Sequence, residues 1–142
     1  MIRWPEPGWP LAVRDAVVHH LESAYPEEGC GVILQTGDAG PWRVRPLRNA
    51  AARPHTAYAF APEEWLAVSM EADARAERVV CVFHSHVESP ATFSPEDRAQ
   101  AAPEGHPLLP GVSYLIGSVH RGCVVWVCQY GWQGDDFRLQ EP

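Results

Sequence analysis

The spacing of apolar residues along the chain changes period several times, and each change marks an element. Between residues 10 and 25, Leu11, Val17, Val18, Leu21 and Tyr25 lie roughly on one helical stripe that Pro26 ends, which predicts a first helix. The run Cys30 to Leu34 and the segment Trp42 to Leu47 flank Thr36-Gly37-Asp38-Ala39-Gly40, predicting two strands joined by a hairpin turn. A third short strand is expected over Tyr58 to Phe60. Pro62 suits the first turn of a second helix over about residues 62 to 77. The unbroken run Val79-Val80-Cys81-Val82-Phe83 then reads as a buried central strand that delivers His84. Ser94 as N-cap with Pro95 at the first helical position predicts a third helix, and Gly105 to Gly111 reads as loop. Ser113 to Val119 and Cys123 to Tyr130, joined at His120-Arg121-Gly122, predict two further strands, with Phe137 to Leu139 as a last edge strand. That order argues for an α/β fold around a mixed, largely antiparallel sheet flanked by helices, and no internal repeat interrupts it.

Composition narrows the function classes. With 142 residues, 46% of them hydrophobic, the chain is expected to form one domain over residues 1–142 around one core. Its formal charge of −7 and the lack of any basic run argue against nucleic acid as a partner. All 11 basic residues are Arg, so the chain carries no side-chain amine for isopeptide modification. No stretch approaches the ~20 apolar residues a membrane helix needs, and the N-terminus has no apolar signal region. The expectation is a cytoplasmic protein without membrane contact. Cys30, Cys81, Cys123 and Cys128 match no zinc-ribbon or secreted-disulfide spacing and are expected to be small core residues.

The segment His84-Ser85-His86-Val87-Glu88-Ser89-Pro90-Ala91-Thr92-Phe93-Ser94-Pro95-Glu96-Asp97 carries the chemistry. In extended backbone, residues i and i+2 point to the same side, so His84 and His86 can aim both imidazoles at one point. A helix starting at Ser94 can return Asp97 from its first turn as a third, oxygen ligand. Three such ligands leave a tetrahedral zinc one open position, the arrangement of a catalytic site. A plainer account exists for each part: seven His make one His-x-His pair unremarkable, and Ser94 followed by Asp97 is also what a capping box looks like.

The full spacing, His-x-His, seven residues, Ser, two residues, Asp, resembles the motif of the JAMM (MPN+) metallopeptidase family at every defined position. Glu28-Gly29-Cys30-Gly31 is similar to that family's upstream Glu-x-Cys-Gly context. Asn49-Ala50-Ala51 with Arg53-Pro54, the stretch Tyr58 to Glu64, and Ser113 to Val119 extend the resemblance over most of the chain. It implies an MPN-type domain with a cytidine-deaminase-like core. It also implies one Zn2+ per chain on His84, His86 and Asp97, with Glu28 as general base and acid and Ser94 as a donor to the tetrahedral oxyanion. Two departures touch no ligand: Val87 stands where the family very often has Pro, and Ala61 where Asp is common. Glu27 is expected at the surface, and His19, His20, His55, His106 and His120 are expected to be solvated or structural.

The function this resemblance implies is a zinc-dependent peptidase or isopeptidase. Its substrate would be an amide bond at the C-terminal Gly-Gly tail of a ubiquitin-like β-grasp protein of sulfur-carrier type, or its conjugates, and the resemblance allows a homodimer. The alternative is a non-catalytic MPN-type zinc-binding scaffold or interaction module. A zinc deaminase would need a His-x-Glu and a Pro-Cys-x-x-Cys pair, and no Cys-x-x-Cys exists here. Cleavage of cell-wall peptides or tail proteins in a phage setting would call for a fused second hydrolase or an export signal.

Overall fold

A computed structural model describes residues 2–5 and 8–140. Its elements run α1 (Leu11–Ala24), β1 (Cys30–Thr36), β2 (Trp42–Leu47), α2 (Pro62–Arg75), β3 (Glu77–Val87), α3 (Pro95–Ala101), β4 (Ser113–His120), β5 (Cys123–Gln133) and β6 (Asp136–Leu139). The strands make one sheet in the order β2-β1-β3-β4-β5-β6. Only β3 and β4 run parallel, joined by a crossover through α3, and the other neighbours are antiparallel. The α/β class and the mixed, largely antiparallel sheet are therefore as expected. No helix among the described residues is long and apolar enough to cross a membrane.

The core lies on both faces of the sheet because the central strands are apolar on both sides. On one face Val13, Val17 and Leu21 of α1 pack with Ile33, Cys81, Phe83 and Leu115. On the other, Val68 and Ala72 of α2 pack with Val32, Leu34, Val82 and Tyr114. The register of β1 on β3 jumps from Ile33↔Cys81 to Leu34↔Val79, which leaves Val80 unopposed in a bulge. Beyond that bulge Cys81 and Phe83 face α1, while Val82 faces α2. The alternation carries on to His84 and His86, which share the α2 side. A one-residue slip would turn both imidazoles to the wrong face. Gly31 is needed here, because a Cβ on it would sit 2.5 Å from the Phe83 ring and 2.7 Å from the Arg45 carbonyl.

Three expectations are corrected. Tyr58 to Phe60 is not a strand. The Ala59 carbonyl accepts from Ala50 N–H, and Ala59 N–H goes to the Asn49 side chain, so the aromatic residues are held for their ring contacts rather than for a ladder. The second helix stops at Arg75, because Ala76 takes a left-handed φ of 54° and closes the end with its N–H on Ala72 and Asp73. Cys30 and Cys81 are buried, but Cys123 is exposed and Cys128 half-buried. Cys123 stands at the start of β5, next to the β4–β5 turn, outside the core.

Candidate metal centre and catalytic cleft

His84 and His86 end β3 on one face, and α3 brings Asp97 to them. His84 Nε2 lies 3.1 Å from Asp97 Oδ1, His86 Nε2 lies 3.1 Å from Asp97 Oδ2, and the two Nε2 atoms are 3.3 Å apart. The capping box suggested by the sequence is also real. Ser94 Oγ accepts from Asp97 N–H at 3.0 Å, and Asp97 Oδ2 accepts from Ser94 N–H at 3.0 Å. One carboxylate thus starts a helix and faces two imidazoles. The cap fixes its rotamer, so the capping role leaves Asp97 in place beside the two imidazoles.

His86 Nδ1 sits 2.8 Å from the Pro90 carbonyl, which can only accept, so Nδ1 carries a hydrogen, and whenever the ring is neutral Nε2 is the nitrogen that presents a lone pair. Nε2 faces Asp97 Oδ2 at hydrogen-bond distance, where either a ring proton or a cation can bridge the two. Burial pulls His86 down, but the hydrogen bonds of Asp97 and Pro90 outweigh it and its pKa is raised. Burial dominates for His84, lowering its pKa and keeping it neutral. Burial pushes Asp97 upward, yet its bonds to His84 and His86 hold it well below the usual carboxylate range. An anionic oxygen and two imidazole nitrogens converging on one point are compatible with a metal ion. The fully buried His84 has no hydrogen-bond partner at Nδ1 among the described residues, so its only polar company is this cluster. Its ring is held instead by stacking on Tyr58 at 4.2 Å.

Beside the cluster lies a cleft of about 430 Å³ whose lining includes Glu28, His55, Tyr58, Ser94 and Glu96. Glu27 is exposed, as expected, while Glu28 beside it is buried. Burial is the largest influence on the Glu28 carboxyl and raises it to about 7, with His86 pulling down and Asp97 pushing up. Because the Ser94 oxygen is occupied as an acceptor, its hydroxyl hydrogen remains to be donated. His55, expected only to be solvated or structural, bonds the Pro26 carbonyl and lines the cleft. A second, apolar hollow of about 370 Å³, walled by Phe60, Trp65, Leu108 and Leu109, shares Tyr58 and Gln100 with the cleft.

Two positioning groups escaped the sequence reading. Ser85, between the histidines and on the opposite face, accepts from Gly29 N–H at 2.8 Å and returns its own N–H to the Gly29 carbonyl at 3.0 Å. Asn49 donates to the carbonyls of Glu28, Pro54 and Ala57, and accepts from Ala51 and Ala59 N–H. The second group therefore joins Glu28 to the chain that carries Tyr58. Asn49→Ala is expected to lower stability by about 2–3 kcal/mol, because several partly buried backbone groups lose partners. Equilibrium denaturation measures it, and a change under 1 kcal/mol would remove Asn49 from this role.

The prokaryotic homologs of the JAB domain, as a family, match residues 10–129. The chain belongs to this family. The JAB domain is 32% identical over 130 residues to a desampylase from Haloferax volcanii, covering 88% of this chain and 86% of that one. It is 33% identical over 86 residues to the tail tip assembly protein K of Escherichia phage N15, covering 61% of this chain but 32% of that protein. Two solution structures share its fold. Protein DSY2949 from Desulfitobacterium hafniense has a TM-score of 0.73 and 25% identity over 99% of this chain and 90% of that one. A protein from Salinibacter ruber has a TM-score of 0.64 and 29% identity over 93% and 87%.

Proposed function

We propose that this JAB domain is a metal-dependent isopeptidase or peptidase. In this reading it hydrolyses the amide bond at the C-terminal Gly-Gly tail of a ubiquitin-like β-grasp protein of sulfur-carrier type, or of its conjugates. The observation that carries the reading is the convergence of His84 Nε2, His86 Nε2 and the Asp97 carboxylate on one point, with His86 Nδ1–H held by the Pro90 carbonyl. The desampylase relative, aligned over most of both chains, supports conjugates of a small ubiquitin-like protein as the substrate class.

His84, His86 and Asp97 would hold one zinc ion, which when bound supplies Lewis-acid activation of water and of the scissile carbonyl. Glu28, raised to about 7, is suited to take a proton from the attacking water near neutrality and deliver it to the departing amine. The Ser94 hydroxyl donates to the oxyanion as it develops, so it stabilises charge only in the transition state. Tyr58 and the Pro90 carbonyl keep the two imidazoles in register, and Asn49 and Ser85 keep Glu28 beside them. The amide is thereby hydrolysed without a covalent intermediate on the chain.

Cleavage of β-grasp proteins bearing a short extension, or an isopeptide-linked lysine peptide, beyond a C-terminal Gly-Gly tests the proposal. Zinc-loaded protein is expected to cut after the glycines, and chelator-treated protein to regain the activity on adding zinc. Products unchanged by chelation would exclude metal dependence, and zinc-loaded protein that cuts none of the panel would exclude this substrate class.

A further inference from the structure

Glu88 follows the second histidine by two residues and has a backbone φ of 54°, a left-handed conformation that costs any residue but Gly free energy. The strain coincides with a clamp. Glu88 N–H donates to the Val119 carbonyl at 2.8 Å, and Oε1 accepts from both Tyr25 Oη at 2.8 Å and Arg121 N–H at 2.7 Å. His120 Nδ1 lies 3.5 Å from Oε2. The next residue is tied as well, since Ser118 Oγ donates to the Ser89 carbonyl at 2.6 Å. The residue after that is Pro90, whose carbonyl takes the His86 Nδ1 hydrogen.

We propose that Glu88 is a positioning residue for the metal centre, acting through Pro90. By fastening the turn after β3 to Tyr25 and to the β4–β5 turn, Glu88 keeps the Pro90 carbonyl against Nδ1 of His86, and so keeps Nε2 as the lone-pair donor. The inference rests on the reading of His84, His86 and Asp97 as a cation site. Loss of the bond that orients a ligating imidazole typically weakens metal binding 10–100-fold.

Glu88→Gly relieves the backbone while removing the clamp, and Glu88→Gln restores an oxygen where both short bonds converge. The test is Co2+ titration of the full chain, with imidazole 15N spectra of the metal-free protein to read the His86 tautomer. Glu88→Gly is expected to bind Co2+ at least about 10-fold more weakly and to show mixed tautomers, without a lower melting temperature. Glu88→Gln is expected to stay near wild type. The pair Tyr25→Phe with His120→Ala leaves residue 88 intact and is expected to weaken binding in the same direction. Glu88→Gly with wild-type Co2+ affinity and an unmixed Nδ1–H tautomer would overturn the inference alone. Wild-type protein that takes up no Co2+ would overturn the cation site and this inference with it.

Discussion

Glu28→Gln is expected to make the metal-free protein more stable and the metal-loaded protein inactive. Burial raises the Glu28 carboxyl from 4.5 to about 7 in the folded state. Below about pH 4 the group is neutral in both states and costs nothing. Between 4.5 and 7 the folded protein keeps a proton that the unfolded chain releases, so stability falls as pH rises through that window. Above pH 7 the full cost of a buried carboxylate is present, on the order of 3 kcal/mol for a shift of this size. Gln, which does not titrate, removes that cost. Denaturant melts of chelated protein should therefore show a gain of about 3 kcal/mol for the variant at pH 8 and little at pH 4. Turnover by zinc-loaded Glu28→Gln should fall by about 10²–10⁴-fold, the usual worth of a general acid–base group. A stability difference that is the same at both pH values would mean Glu28 is not a strained, buried carboxyl. Undiminished turnover would remove it from the chemistry.

A second pair of variants separates the two roles of the α3 entrance. Asp97→Asn can still accept from Ser94 N–H, so the helix start survives, but the site loses its only anionic donor. Zinc affinity is expected to drop by more than about 100-fold, beyond what the loss of a supporting group costs. Ser94→Ala does the reverse: it removes the N-cap oxygen, at about 1 kcal/mol of stability, and the hydroxyl donor, at about 10²–10³-fold in turnover. Its zinc affinity should stay close to wild type, because the Ser94 backbone N–H still holds Asp97 Oδ2. Asp97 also contributes stability to the metal-free protein above the ordinary carboxylate range. That contribution is lost as acid titrates its depressed carboxyl, a loss Asp97→Asn should not show. Isothermal titration with zinc and urea melts read both effects. Equal loss of zinc affinity in the two variants would mean that the cap, not the charge, governs the site.

The segments that were legible in the sequence are those whose chemistry repeats at a local period. The α1 stripe, the paired strands and the His84/His86 alternation all depend on neighbours within a few residues. Asp97 was legible twice over, since its spacing from Ser94 serves the cap and its spacing from His86 serves the cluster. β3 is longer than its apolar run because polar residues at both ends find partners across the sheet: Glu77 pairs with Arg43, and Ser85 with Gly29. Tyr58 to Phe60 misled because aromatic residues favour strands, whereas here Tyr58 stacks on a buried imidazole and Phe60 on Trp65. The bonding roles of Asn49 and Glu88 could not be read from the sequence, although Asn49 lies in a stretch that carries the family resemblance. Their partners lie far off along the chain, and nothing in the residue type marks Glu88 as left-handed.

The shortness of α3, Pro95–Ala101, has a further consequence. A helix of two turns with a single cap has little stability of its own, so its order depends on tertiary contacts, here Ala101 in the core and Arg98 on Asp136. Asp97 faces His84 and His86 from the first turn, while Gln100 and Ala101, one turn later, wall the apolar hollow next to Tyr58. An ion on Asp97 and an apolar side chain in the hollow would thus each favour the same ordered α3. Thermodynamic reciprocity would then make them cooperative ligands: a bound ion would raise the affinity for such a side chain, and the side chain would raise the affinity for the ion by the same factor.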